Sequence, residues 1–104
     1  MLDLYYVLDD QGDPVVEPNF DRWAEWFADN FVRRIDRTQV DDADVSTVFL
    51  GVDHQWGDGP PLLFETMIFG GRYDGHQWRW STRQAAIDGH TAVVKALTVG
   101  GDLP

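Results

Sequence analysis

Cysteine is missing from the chain, which excludes disulfides and cysteine-ligated zinc. Lysine is nearly missing: seven of the eight cations are arginine. No run approaches the ~20 apolar residues that a membrane-spanning helix needs. The first residues, MLDLYYVLDDQG, carry acids where a secretory leader carries cations, and no long apolar stretch follows. A cytoplasmic protein with no membrane attachment is expected. Positive charge is also scarce, with 8 basic residues against 18 acidic ones and a net charge of −10. Direct nucleic-acid binding through a general basic face is therefore not expected.

What is present fits one domain over residues 1–104. A chain of this size buries roughly 65% of its unfolded surface, enough for a core without metals or cross-links. Fifteen of the 18 acids are aspartate, scattered along the chain. Three readings of that acidity stay open: a solubilising surface shaped by genome composition, a salt-adapted host, or imitation of a phosphate backbone.

The pattern predicts a small α+β domain, an antiparallel meander of four to five strands with two helices. Residues 2–8 read as a strand and 9–14 as a turn. NFDRWAEWFADN (19–30) predicts a helix, with Asn19 as its N-cap and Asn30 able to end it. Its aromatic stripe of Phe20, Trp23, Phe27 and Phe31, widened by Trp26, predicts core packing, with a binding face built on the two tryptophans as the alternative. RRIDRTQV (33–40) reads as a polar strand near an edge, its arginines paired with nearby aspartates. VSTVFLGV (45–52), LLFETMIF (62–69) and HQWRW (76–80) predict three more strands. Residues 81–99 predict a helix with a Ser81-x-x-Gln84 capping box and a stop at Gly100-Gly101. The strands at 45–52 and 62–69 read as apolar on both faces. Either both helices divide the faces between them, or a second copy covers one, so a homodimer is one expectation.

Glu65 stands mid-strand in apolar context. Such a carboxylate is either a working acid/base or metal ligand, or is paired with an arginine such as Arg79. A simple hairpin places Leu50 opposite it on one side and Trp80 on the other. Asp53 and His54 end a strand and open a loop. With Glu65 and His90 they make a possible two-histidine, two-carboxylate metal site, although the spacing matches no fixed metal signature. The competing assignments have Asp53 capping the loop and His90 as a satisfied core residue, with Gly89 letting helix and sheet approach. The loop HQWGDGPP (54–61) is the candidate binding loop. Gly57 and Gly59 free backbone N–H groups, and Trp56 either offers a stacking surface or folds over the core. For a nucleotide ligand, Trp78 and Arg79 join Trp56. No nucleophile elbow, HExxH or GxGxxG motif occurs, and no motif implies a cofactor.

Several segments together resemble a family of small proteins encoded by phages and prophages. They are YYVLDDQGDPV (5–15), Arg33-Arg34, VSTVFLGVDH (45–54), GDGPP (57–61), PPLLFETMIFGG (60–71), RWST (79–82) and AAIDGH (85–90). One departure is Arg83, where the family pattern has tryptophan after Ser-Thr. The resemblance implies an accessory protein in an infected host cell and no defined chemistry. The expectation is a non-enzymatic binding protein for a host protein or small nucleotide, in a counter-defence setting. The alternative is a small metal-dependent hydrolase using Asp53, His54, Glu65 and His90.

Overall fold

The computed structural model describes residues 4–29 and 31–104. Six strands and two helices follow in the order β1 (Tyr6–Leu8), β2 (Pro14–Val16), α1 (Phe20–Phe27), β3 (Arg34–Val40), β4 (Ala43–Phe49), β5 (Phe64–Phe69), β6 (Gln77–Trp80) and α2 (Arg83–Val99). β1 and β2 form a small hairpin, and β3-β4-β5-β6 form an antiparallel meander in that order. This is the α+β layout expected. The proposed helix end at Asn30 lies outside the described residues, as does the start of the first strand.

β4 and β5 differ from the expectation in one respect. They are not apolar on both faces but alternate strictly. Ala43, Val45, Thr47 and Phe49 are buried, as are Phe64, Thr66 and Ile68, while the residues between them are half-exposed or exposed. Successive strand side chains point to opposite faces, so the sheet has one covered face and one open face. α2 lies across all four strands on the covered face, and α1 contacts β1 at one end of the molecule.

The covered face has three layers. Ala43, Val45, Ile68 and Val93 form one apolar cluster, with Trp78, Leu97 and Leu103 packed on it. Phe49, Leu63, Phe64 and Ala86 form a second, flanked by Trp26, Ile35 and Trp80. Phe49, Phe64, Ile68, Val45 and Val93 are fully buried, each worth about 1.5–3 kcal/mol of apolar transfer. Between the clusters runs a polar layer. Thr47 sits between Val45 and Phe49, Thr66 between Phe64 and Ile68, and His90 between Ala86 and Val93, and all three are buried.

Trp80 Nε1 donates to Thr66 Oγ1 at 3.0 Å, Thr66 and Thr47 hydroxyls are 2.6 Å apart, and Thr47 Oγ1 is 2.7 Å from His90 Nδ1. An indole N–H only donates. The arrangement that uses every hydrogen therefore runs from Trp80 through Thr66 and Thr47 into an unprotonated Nδ1. His90 Nε2–H is then left to donate to Thr38 Oγ1, 2.9 Å away. His90 is the satisfied core histidine of the sequence reading.

Asn19 caps α1 as predicted, its side chain accepting from the Arg22 N–H at 3.0 Å. Asn19→Ala is expected to cost about 1 kcal/mol, read as a lower urea midpoint at unchanged slope. The cap of α2 is one residue later than expected. Thr82 Oγ1 accepts from Ala85 N, and Gln84 bonds Asp88 instead of closing a box with Ser81. The aromatic stripe of α1 also departs from expectation, because no residue of α1 is fully buried. Trp23 stacks on Phe27 at 4.7 Å, Tyr5 meets Phe20 and Trp23, and Trp23 Nε1 donates to Gly51 O. Gly51 has φ +75°, and a Cβ there would meet Phe27 at 2.8 Å, so glycine is required under the helix. Phe31 lies beyond the helix and is 79% exposed.

Candidate functional site

The open face holds Arg34, Arg37 and Gln39 from β3, then Asp44, Ser46 and Val48 from β4. It continues with Glu65, Met67 and Phe69 from β5, and Gln77 and Arg79 from β6, by cross-strand pairing. Among the described residues neither helix lies over it. Three of the chain's eight cations, Arg34, Arg37 and Arg79, stand on this face with two of its 18 acids, Asp44 and Glu65, and Arg33 lines the rim. Both acids are matched. Arg37 Nε donates to both oxygens of Asp44, at 2.8 and 3.0 Å, and its Nη2 adds a further bond. That hydrogen bond is the main reason the Asp44 carboxyl is held below the usual carboxylate range. Arg79 Nε donates to Glu65 Oε2 at 3.1 Å.

Glu65 is thus the arginine-paired carboxylate of the two alternatives. Its neighbours differ from the simple-hairpin guess: Val48 rather than Leu50 stands opposite, and Arg79 rather than Trp80 on the other side. The connection after β4 is not a plain hairpin. Leu50 N bonds Leu63 O, His54 N bonds Leu62 O, and Asp53 Oδ1 accepts from both Gln55 N and Leu62 N. Asp53 therefore caps the loop.

The four metal candidates are not brought together. His90 projects from α2 onto the covered side of the sheet and Glu65 faces the open side, so the sheet itself separates them. Among the described residues no group of three or more His, Cys, Asp or Glu side chains converges as a metal site. The nucleotide set of Trp56, Trp78 and Arg79 is scattered for the same reason. Trp78 points inward, packs against the Val45–Ile68 cluster and donates from Nε1 to Pro104 O. Arg79, next in sequence, points outward. Trp56 is 93% exposed on its loop, so it offers a free ring rather than a lid on the core. Gly57 has φ +98° and Gly59 packs against Gln55. These two shape the loop, whose Gln55 Nε2 closes onto Pro60 O.

A cleft of about 410 Å³ opens on the uncovered face, lined by Arg33, Arg34 and Arg37 with Asp44 and Ser46, over Val48 and Phe69. Arg33 lies 3.8 Å over the Phe27 ring, which ties the cleft's rim to α1. Arg34 makes no side-chain hydrogen bond to any described residue. The clustering of Arg33, Arg34 and Arg37 is visible in the sequence. Their gathering on one face with Ser46 is not.

No family model, curated protein or solved structure matches this chain. The functional reading rests on the geometry above.

Proposed function

We propose that this chain is a non-enzymatic, phage-type accessory protein that binds a host protein or small nucleotide through the open face of its sheet. One observation carries the reading: three of the chain's eight cations stand on an uncovered sheet face, with a fourth at its rim, in a protein of net charge −10. Both acids on that face are already held by arginines. A face that meets an anionic partner gains attraction at contact range. The exposed Trp56 ring supplies a second contact at the sheet's end. A second copy of the chain is the weaker occupant, because two such faces stacked together repel. Counter-defence is the setting that suits the phage resemblance.

Native mass spectrometry of protein isolated gently from cells tests the reading. The expected spectrum contains a species heavier than the 11.9 kDa chain and not a multiple of it. The charge-reversed variant R34E/R37E/R79E is expected to lose the added mass. Bare chain or simple multiples from the wild type would overturn the proposal.

A further inference from the structure

Arg34 and Arg37 are three residues apart, and in a regular strand such positions project to opposite faces. β3 is not regular. Arg34 pairs with Val48 and Asp36 with Thr47, so Ile35 is an extra residue with no partner of its own, and Arg37 pairs with Ser46. Ile35 turns inward against the Phe49–Phe64 cluster. This β-bulge shifts the alternation by one and swings both arginines onto the open face. Bulges of this kind re-aim side chains beside binding sites.

The two guanidinium groups are differently committed. Arg37 gives Nε and Nη2 to Asp44, leaving Nη1 unclaimed, while Arg34 has all its donors unclaimed by any described residue. Asp44 thus orients Arg37 without using it up. Paired arginine forks match the oxygens of phosphate better than a single ammonium does. The cleft they line also contains Arg33, and its single acid, Asp44, is already paired. Its apolar lining is Val48, opposite Arg34, and Phe69, opposite Asp44 at the other end and 49% exposed. Its volume of about 410 Å³ lies in the range of small-ligand sites, which run about 300–1,000 Å³.

We infer that the bulge-aligned pair Arg34–Arg37 is the phosphate-binding element of a nucleotide site, with Ser46 between strands as a further donor and Phe69 against the ligand's base. The inference rests on the binding reading above and names its ligand class as a nucleoside di- or triphosphate. Phosphate toward the Arg34 end of the cleft and a base on the flat apolar ring at the Phe69 end distinguish such a ligand from a bare anion.

Calorimetric titration with ADP and with inorganic pyrophosphate decides it, with chain folding checked by circular dichroism. Wild type is expected to bind ADP saturably and more tightly than pyrophosphate. R34A/R37A is expected to weaken both by about tenfold or more, the scale of losing charged hydrogen bonds. Phe69→Ser is expected to weaken ADP and leave pyrophosphate unchanged. Equal affinities for the two probes, with Phe69→Ser silent, would overturn the nucleotide assignment in favour of an anion subsite. No saturable heat with either probe at millimolar concentration would overturn the site. If that silence accompanies loss of a co-purifying partner in R34E/R37E/R79E, the nucleotide inference falls and the broader binding proposal stands.

Discussion

His90→Ala is expected to destabilise the fold by about 3–4 kcal/mol, measured by urea unfolding. Two losses add. The imidazole leaves a void between the apolar clusters, beside Val93 and Ala86. The Thr47 hydroxyl, fully buried, loses the acceptor that ends the donor run from Trp80. Single domains have only about 5–15 kcal/mol in total, so this is a large share. A loss under 1 kcal/mol would mean that water or a rotated threonine replaces the ring without cost.

The same residue sets a pH dependence whose sign follows from its surroundings. Burial, the larger influence, holds the His90 pKa below its ordinary value, and Asp36, 3.6 Å from Nε2, pulls it back up. The unfolded chain takes up this proton near pH 6.5, while the folded chain takes it up only at lower pH. Between those points the unfolded state binds more protons, so stability rises with pH there. The contribution is complete above about pH 6.5 and is lost as pH falls through the folded value. Wild type is therefore expected to lose more stability than His90→Ala when the pH is lowered from 7.5 to 5.5. Parallel profiles for the two would remove His90 as the cause.

Gly89→Ala is the second large effect, expected at about 2 kcal/mol destabilising. Helix propensity alone predicts the opposite sign, since alanine is better than glycine by about 1 kcal/mol inside a helix. Contact geometry decides. An added Cβ would stand 2.2 Å from Trp80 Cζ2 and 2.7 Å from both Cε2 and Cη2, inside the 3.0 Å that real Cβ atoms respect. The indole cannot swing away, because Nε1 is tied to Thr66 and the ring packs on the Phe49–Phe64 cluster. Trp80→Phe removes the clashing part of the ring, so alanine at 89 is expected to cost less in that background. An alanine variant that melts above wild type would refute the close-packing account.

Much of the architecture could be read directly from local chemistry. Asn19 before an aromatic run, the helical spacing of Ala86, His90 and Val93, and the polar edge character of β3 all depend on neighbours in sequence. Gly89 beside His90 likewise signalled close approach of helix and sheet. The open-face site was illegible for a definite reason: sidedness depends on register. RRIDRTQV has the same composition with or without an extra residue at Ile35, yet only the bulge puts Arg34 and Arg37 together. Glu65 shows the same limit. Its arginine partner follows from charge, but its partner on β4 does not, because Asp53 folds the β4–β5 loop in a way that residue types do not announce. Trp78 and Arg79 are neighbours in sequence, and adjacency in a strand is what parts them.

The meander also governs the order in which the molecule assembles. Every strand of the larger sheet joins its successor in the chain, so its pairings are local in sequence, with residues 50–63 between β4 and β5 the longest connection. The N-terminal hairpin and α1 are different. They join the rest through the Tyr5–Val52 bridge, the Leu4–Asp53, Tyr6–Gly51 and Trp23–Gly51 hydrogen bonds, and Tyr6, Leu8 and Trp26 packed on the Phe49–Phe64 cluster. Docking of α1 therefore does two things at once: it covers Phe49 with Trp26 and it sets Arg33 over Phe27. The rim of the arginine cleft is thereby coupled to the seating of the first helix.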